Sequence, residues 1–265
     1  MPAFAANLTM NYPELEFLER FDAAARDGFK GVEFLFPYDF DRHDLKARVE
    51  GNDLHVALFN APPGNWDQGE RGLAALPGRE EEFQRTIGLA LEYSRALGNS
   101  RLHVMAGLRD NDIPYERQME TYLRNIEYAA LQAKSLGLTI VLEAINTRNM
   151  PGYFVNYQEE TKAVCDLIGA DNVKIQFDLY HAQIMQGDLV VRLETLLESI
   201  GHIQAASVPD RHEPNAGEVN YPYLFEWLDR VGYRGWIGCE YNPRSTTSEG
   251  LGWLGSWRGA IAKML

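Results

Sequence analysis

TIVLEAINTRNMPGYFVNYQEETKAVCDLIGADNVKIQFD, residues 139–178, holds one complete strand–helix–strand unit. A short β-branched run opens it and another closes it, and the helical stretch between them ends at Gly169. Glycine readily adopts the left-handed conformation that follows a helix. Strands joined through a helix pair in parallel. The segment therefore predicts one β–α repeat of an α/β protein.

The same alternation recurs along the chain. Apolar runs predict strands at 3–8, 31–36, 55–61, 101–107, 139–145, 173–178, 202–207 and 236–241. Amphipathic patterns predict helices at 13–28, 41–51, 78–98, 114–137, 156–169, 187–201, 220–232 and 249–265. Eight such units in 265 residues predict a single (β/α)8 TIM barrel spanning residues 1–265. The rival fold is a doubly wound sheet. Its nucleotide-binding form would have a G-x-G-x-x-G motif after the first strand, and this chain has none there.

Composition narrows the class of protein. The net charge is −13, which argues against partners that need a basic surface, namely nucleic acid and anionic membranes. The two cysteines, Cys165 and Cys239, lie far apart and read as reduced residues of a cytoplasmic protein. No signal peptide and no apolar run long enough to span a membrane is evident. We expect a cytoplasmic enzyme with a small-molecule substrate.

Four polar residues each stand at the end of a separate apolar run: Glu143, Asp178, Gln204 and Glu240. A carboxylate at the end of a buried strand is costly unless it is paired or bound to a cation. Strand ends converge at the catalytic face of a parallel barrel. Three carboxylates and an amide there would form an oxygen-rich site for a hard divalent ion, Mg²⁺ or Mn²⁺. Glu143 and Glu240, on the fifth and eighth strands, could flank a substrate as acid and base.

Other residues are candidates for substrate binding. His181 lies three residues after Asp178 and could share its turn, although Asp178 could also be a simple helix cap. Arg211 could clamp a substrate carboxylate or form a loop salt bridge. Earlier strand ends and loops offer further candidates: Asn7, Phe59, Asn60, Trp66 and His103. His103 could equally be a core histidine. Two long loops, 62–80 and 208–222, are expected at the catalytic face as lids, or as plugs or dimer contacts.

Several stretches resemble the bacterial hydroxypyruvate isomerase family, which includes the 2-oxo-tetronate isomerases and belongs to the xylose isomerase-like TIM barrels. The resemblance covers essentially the whole chain. The stretches are FAANLTM, GVEFLFPYD, FNAPPGNW, GERGLAALPGREEEF, LEAIN, IQFDLYH, RHEPNAGEVNYPYLF and GWIGCEYNP. LEAIN departs slightly from the IEPIN more common among hydroxypyruvate isomerases, and it leaves the glutamate untouched.

The resemblance implies a metal-assisted ketol isomerase of carbohydrate metabolism. The substrate would be hydroxypyruvate, giving tartronate semialdehyde, or 2-oxo-tetronate, giving 3-oxo-tetronate. Glu143 and Glu240 would move the proton through a cis-enediolate. Glu143, Asp178, Gln204 and Glu240 would bind the divalent cation. The order in which the two glutamates act stays open.

Three alternatives remain. A ketose 3-epimerase would use the same glutamates, although such relatives usually carry His at the position of Gln204. An apurinic endonuclease-like phosphodiesterase would need more histidine ligands and a basic DNA-binding face. A sugar-acid binding protein would leave the acid/base pair unexplained. Trp253 and Trp257 suggest a self-association surface and thus a homo-oligomer.

Overall fold

The computed structural model describes residues 3–257, in which eight parallel strands follow one another in chain order and close into a barrel. This confirms the predicted (β/α)8 architecture. The strands are β1 (Ala3–Asn7), β2 (Gly31–Phe34), β3 (His55–Asn60), β4 (Arg101–His103), β5 (Thr139–Glu143), β6 (Val173–Asp178), β7 (Ile200–Gln204) and β8 (Trp236–Cys239).

Helices surround the barrel and bury the outer faces of its strands. They are α1 (Arg20–Arg26), α2 (Arg42–Gly51), α3 (Glu80–Leu97), α4 (Tyr115–Lys134), α5 (Gln158–Ile168), α6 (Leu179–Met185), α7 (Leu189–Leu196), α8 (Tyr221–Arg230) and α9 (Thr247–Gly250). Short 3-10 helices occur at Phe17–Glu19, Trp66–Gln68, Leu197–Ser199 and Leu251–Trp257. None of these helices is long and apolar enough to cross a membrane, within residues 3–257.

Two helices differ from the sequence-based expectation. The first was expected from residue 13, yet α1 begins at Arg20 after a 3-10 turn. Leu15 and Leu18 pack against the core from this irregular segment, so their spacing resembled a helical stripe. The second, α6, was missed because Asp178 is both the last residue of β6 and the N-cap of α6.

The C-terminal region also departs from its prediction. The helix expected over 249–265 is a short α9 followed by a 3-10 helix, because glycines at 250, 252 and 255 weaken a regular helix. The part at 258–265 lies outside the described residues. Trp253 and Trp257 were expected to be exposed, but both are partly buried against Phe225. Both residues therefore contribute to the packing around Phe225, and the self-association surface stays a prediction.

The predicted metal-binding and acid/base residues all lie at one end of the barrel, the carboxyl end of its strands. Asn7, Glu143, Asp178 and Gln204 are each the last residue of a strand, and Glu240 directly follows β8. The 62–79 loop after β3 lies at the same end and is held there by a bridge between Gly72 and Ala106, which follows β4. Parallel strand ends thus bring together residues that are far apart in the chain.

Candidate active site

Three buried carboxylates meet at the carboxyl end of the barrel. Glu143, Asp178 and Glu240 are 6%, 1% and 8% exposed, and one oxygen of each lies within 4.8 Å of the others and of a His181 ring nitrogen. Burial raises the pKa of Glu143, and the negative charges of Glu240 and Asp178 raise it further. Burial also raises the pKa of Asp178 and of Glu240. The cluster therefore favours any cation or proton that enters it.

Arg211 supplies a positive charge to this cluster. Its Nη2 lies 2.6 Å from Glu240 Oε2 and 3.7 Å from Asp178 Oδ2. The backbone of Arg211 is left-handed, with φ 57°, and is fixed by hydrogen bonds to Ser207 and Asn242. Burial lowers the pKa of Arg211, but Glu240 and Asp178 more than offset this, so the guanidinium stays charged. The Nε of Arg211 is buried with no hydrogen-bond partner among residues 3–257.

His181 faces two of the carboxylates. Its Nε2 lies 3.4 Å from Asp178 Oδ2 and 3.8 Å from Glu143 Oε1. Its Nδ1 accepts from the backbone N–H of Asn146, which can only donate. Burial lowers the pKa of His181, so the ring is neutral and its one proton sits on Nε2. His181 can therefore donate a hydrogen bond to the carboxylates or to a ligand between them.

His103 lies on the other side of Glu143. Its Nε2 is 3.6 Å from Glu143 Oε2, and neither ring nitrogen has a hydrogen-bond partner in the described part of the chain. Burial lowers the pKa of His103 to about 3, so the ring is neutral at physiological pH. The residue is buried as a core histidine would be, yet it borders the candidate site.

Of the remaining predicted substrate residues, Asn7 contacts the carboxylate cluster, and the other three have the contacts given below. Asn7 belongs to the site, because its Nδ2 lies 3.5 Å from Glu240 Oε1. Phe59 is fully buried and stacks on Phe34, which gives it a packing role. Asn60 is buried at the end of β3, where its carbonyl accepts from the Tyr38 hydroxyl. Trp66 is half-buried in the loop after β3, with the Arg71 guanidinium 3.9 Å from its ring.

Gln204 is buried beside the carboxylates but hydrogen-bonds elsewhere. Its Nε2 donates to Glu33 Oε1 at 2.8 Å, and its Oε1 accepts from Gln176 Nε2 at 2.6 Å. Glu33 is not among the predicted site residues, because this glutamate lies inside β2 rather than at a strand end. The signal was present, since a glutamate within the apolar run GVEFLF must find partners to be buried.

A divalent cation fits the donor set. Glu143 Oε1 and Asp178 Oδ2 are buried and have no hydrogen-bond partner among residues 3–257. The other oxygen of Asp178 accepts from the Tyr180 N–H as the cap of α6, so capping and metal binding are compatible. Buried carboxylate oxygens without partners are costly, and a hard cation would satisfy them. The residues that could hold it are Glu143, Asp178 and Glu240, with Gln204 adjacent to Asp178 across the β6–β7 pairing.

Comparisons with known proteins agree with this fold. Residues 21–257 match the family model described as xylose isomerase-like TIM barrel. The chain is 58% identical to the 2-oxo-tetronate isomerase of Cupriavidus necator, over 98% of this chain and 100% of the relative. It is 42% identical to the hydroxypyruvate isomerase of Escherichia coli, over 97% and 100%. A crystal structure from Brucella melitensis named AP endonuclease, family 2, superposes with a TM-score of 0.96 at 50% identity, covering 97% of this chain and 100% of that one.

Proposed function

The chain belongs to the xylose isomerase-like TIM barrel family, and on that premise we propose that it is a ketol isomerase acting on 2-oxo-tetronate, with hydroxypyruvate as the alternative substrate. The observation that carries the proposal is the pair Glu143 and Glu240, which are buried at the end of β5 and after β8, close to Asp178 and with Arg211 in contact with Glu240. The identity with relatives named as isomerases of these two acids supports it, and is greater for the 2-oxo-tetronate isomerase.

The proposed reaction moves one proton between neighbouring carbons. One glutamate removes the C3 proton of the 2-oxo acid, which gives a cis-enediolate. The other glutamate returns a proton to C2, and the hydroxyl proton passes from O3 to O2, so the product is the 3-oxo isomer. The raised pKa of Glu240, about 8, suits a group that must both hold and release a proton near neutral pH.

Neighbouring groups bind and orient the substrate in this scheme. The unpartnered Nε of Arg211 and the Nε2–H of His181 would donate to substrate oxygens. Asn7 would help to hold Glu240 in place through its side-chain amide. Glu143, Asp178 and Glu240 would hold Mg²⁺ or Mn²⁺, with Gln204 as a ligand through the lone pair of Oε1 that Gln176 does not use. The ion would polarise the substrate carbonyl and lower the cost of the negative intermediate.

The name of the Brucella melitensis structure points to a second function, phosphodiester cleavage at abasic DNA sites. Two features of this chain disfavour it. One cluster of potential metal ligands occurs within residues 3–257, and it contains a single histidine. The net charge of −13 opposes binding of a DNA backbone. The isomerase is therefore the better supported proposal.

Proton NMR of the purified enzyme in D₂O with Mg²⁺ tests the proposal. Incubation with 2-oxo-tetronate should give the 3-oxo isomer with deuterium at C2, and hydroxypyruvate serves as the alternative substrate. Reaction of hydroxypyruvate alone would move the substrate assignment to that acid. If both acids remain unchanged while free ketoses epimerise or an abasic oligonucleotide is cleaved, the isomerase proposal is wrong.

A further inference from the structure

Glu33 is a fully buried carboxylate in the centre of the barrel. Its Oε1 accepts from Gln204 Nε2 at 2.8 Å and from Asn7 Nδ2 at 3.0 Å, and its Oε2 lies 2.6 Å from His202 Nε2. The space it fills exists because β8 has a glycine there, since a Cβ at Gly238 would lie 2.3 Å from the Glu33 oxygens. The proposed isomerase mechanism gives this carboxylate no part in proton transfer.

Oε1 of Glu33 determines which way two amide side chains point. Whichever partner of the Oε2–His202 contact carries the proton, Oε1 can only accept. The nitrogen of Gln204 must therefore face Glu33, which turns the Gln204 oxygen toward Gln176. The 2.6 Å contact between these glutamines must then be donated by Gln176 Nε2. The orientation of Gln176 is thus fixed from the barrel centre.

The first arm of this network ends at Glu143. Gln176 is the register partner of Glu143 in the β5–β6 pairing, which places the two side chains next to each other. Hydrogen bonding from the Gln176 side chain lowers the pKa of the Glu143 carboxyl, against the rise that burial causes. An amide nitrogen carries two hydrogens, so Gln176 can donate one to Gln204 and one to Glu143. Reversal of either glutamine would bring two oxygens together.

The second arm ends at Glu240. Asn7 Oδ1 accepts from the Thr9 backbone N–H at 3.1 Å, so its nitrogen is the end that faces the barrel. That nitrogen lies 3.0 Å from Glu33 Oε1 and 3.5 Å from Glu240 Oε1. Asn7 and Glu33 are register partners in the β1–β2 pairing, so the backbone holds the pair together.

We propose that Glu33 is a positioning residue that orients both Glu143 and Glu240 through two amide arms, Gln204–Gln176 and Asn7. The inference rests on the proposed function for the roles of the two glutamates. Glu33 does not contact the reacting atoms. It determines the direction of the hydrogen bonds that Gln176 and Asn7 make to Glu143 and Glu240.

Glu33→Met and Glu33→Gln test the functional part. Methionine removes the acceptor while keeping the approximate volume. The kcat should fall on the order of 10–100-fold, the loss typical of residues that orient metal ligands, with little change in KM. Glutamine can place its oxygen at the position of Oε1. Its nitrogen can then donate to His202 Nε2, if His202 adopts the tautomer in which that nitrogen accepts. Glu33→Gln should therefore retain most of the wild-type kcat.

Gln118→Met is the matched control, because Gln118 is also fully buried and makes three hydrogen bonds, with Asp110 and Ile113, at α4. It should lower Tm as Glu33→Met does but leave kcat unchanged. Equal kcat losses in the two variants would reduce Glu33 to a structural role. A folded Glu33→Met enzyme with wild-type kcat would overturn the inference.

Two further measurements keep the inference testable. If Glu33→Met does not fold, Gln176→Met cuts one arm without exposing Glu33, and it should lower kcat while Mn²⁺ binding, measured by electron paramagnetic resonance, persists. Neutron diffraction from deuterated crystals shows the nitrogens of Gln204 and Gln176 directly. A Gln204 nitrogen that points away from Glu33 would refute the network whatever reaction is catalysed, whereas the predicted orientation in an enzyme that isomerises neither acid would refute only the proposed function.

Discussion

At the scale of single residues, Glu143, Asp178 and Glu240 concentrate negative charge where water is scarce. Such a group is tolerated because Arg211 lies beside two of them, with its Nη2 2.6 Å from Glu240 and 3.7 Å from Asp178. Removing one partner of a buried charge group leaves the others uncompensated. The least disruptive substitution here is glutamine, which keeps the shape of glutamate and can still accept a hydrogen bond through its oxygen.

Glu143→Gln and Glu240→Gln are substitutions of this kind. Each should fold normally but lose about 10²–10⁴-fold in kcat, the contribution typical of a general acid or base. The readout is initial isomerisation rate together with circular dichroism. Glu120→Gln, at an exposed position on α4, is the control and should match wild type. Near-normal turnover in both active-site variants would exclude the two-glutamate mechanism.

His103→Gln tests a pH effect. The folded pKa of His103 is about 3 and its ordinary value is 6.5, so the neutral ring is favoured in the fold. Its contribution to stability is present above pH 6.5 and is lost as the pH falls through the window from 6.5 toward 3. Between pH 7 and pH 5, wild type should lose about 2 kcal/mol of unfolding free energy that the variant does not lose.

Urea unfolding at several pH values measures this difference. The comparison between the two proteins is needed because Glu143, Asp178 and Glu240 have raised pKa values and act with the opposite sign, stabilising the fold as the pH falls. Parallel pH profiles for wild type and His103→Gln would show that His103 does not titrate as described.

At the scale of elements, β8 passes close to Glu33 only because it carries a glycine at position 238. Gly238→Ala would force a Cβ to 2.3 Å from that carboxylate, which should cost about 1–3 kcal/mol and lower kcat. Gly88→Ala is the control, since nothing lies within 4 Å of a Cβ at this exposed site in α3. It should instead stabilise the protein by about 0.5–1 kcal/mol. Thermal and urea unfolding measure both, and a neutral Gly238→Ala would mean that β8 can move away from Glu33.

At the scale of the whole molecule, closure of the barrel places Glu240 beside residues of β5 and β6. A bound cation would then link β5, β6 and the residue that follows β8. Mn²⁺ at about 100 times its Kd should raise the unfolding free energy by about 2.7 kcal/mol. Asp178→Asn should abolish most of this gain while still capping α6, because asparagine is an equally good N-cap.

Differential scanning calorimetry with and without Mn²⁺ checks this expectation. Asp171→Asn, at an exposed position before β6, should respond to Mn²⁺ as wild type does. An equal Mn²⁺ effect in wild type and Asp178→Asn would place the ion elsewhere.

The sequence by itself determined the barrel and the strand-end acids. Helix-terminating glycines and short apolar runs are local signals, and Glu143, Asp178 and Glu240 stand next to such runs. Parallel pairing then brings strand ends together without further information. The same local logic failed for α6, whose first residue follows a strand directly, and for Trp253 and Trp257, which pack on Phe225.

Only the tertiary structure decided what surrounds those acids. The contact of Arg211 with Glu240 and the bonds of Glu33 with Asn7 and Gln204 join residues that are 26 to 171 positions apart. Such pairs depend on barrel register, on loop path and on the side-chain torsions that packing selects. The local patterns from which strands and helices are predicted contain none of these quantities.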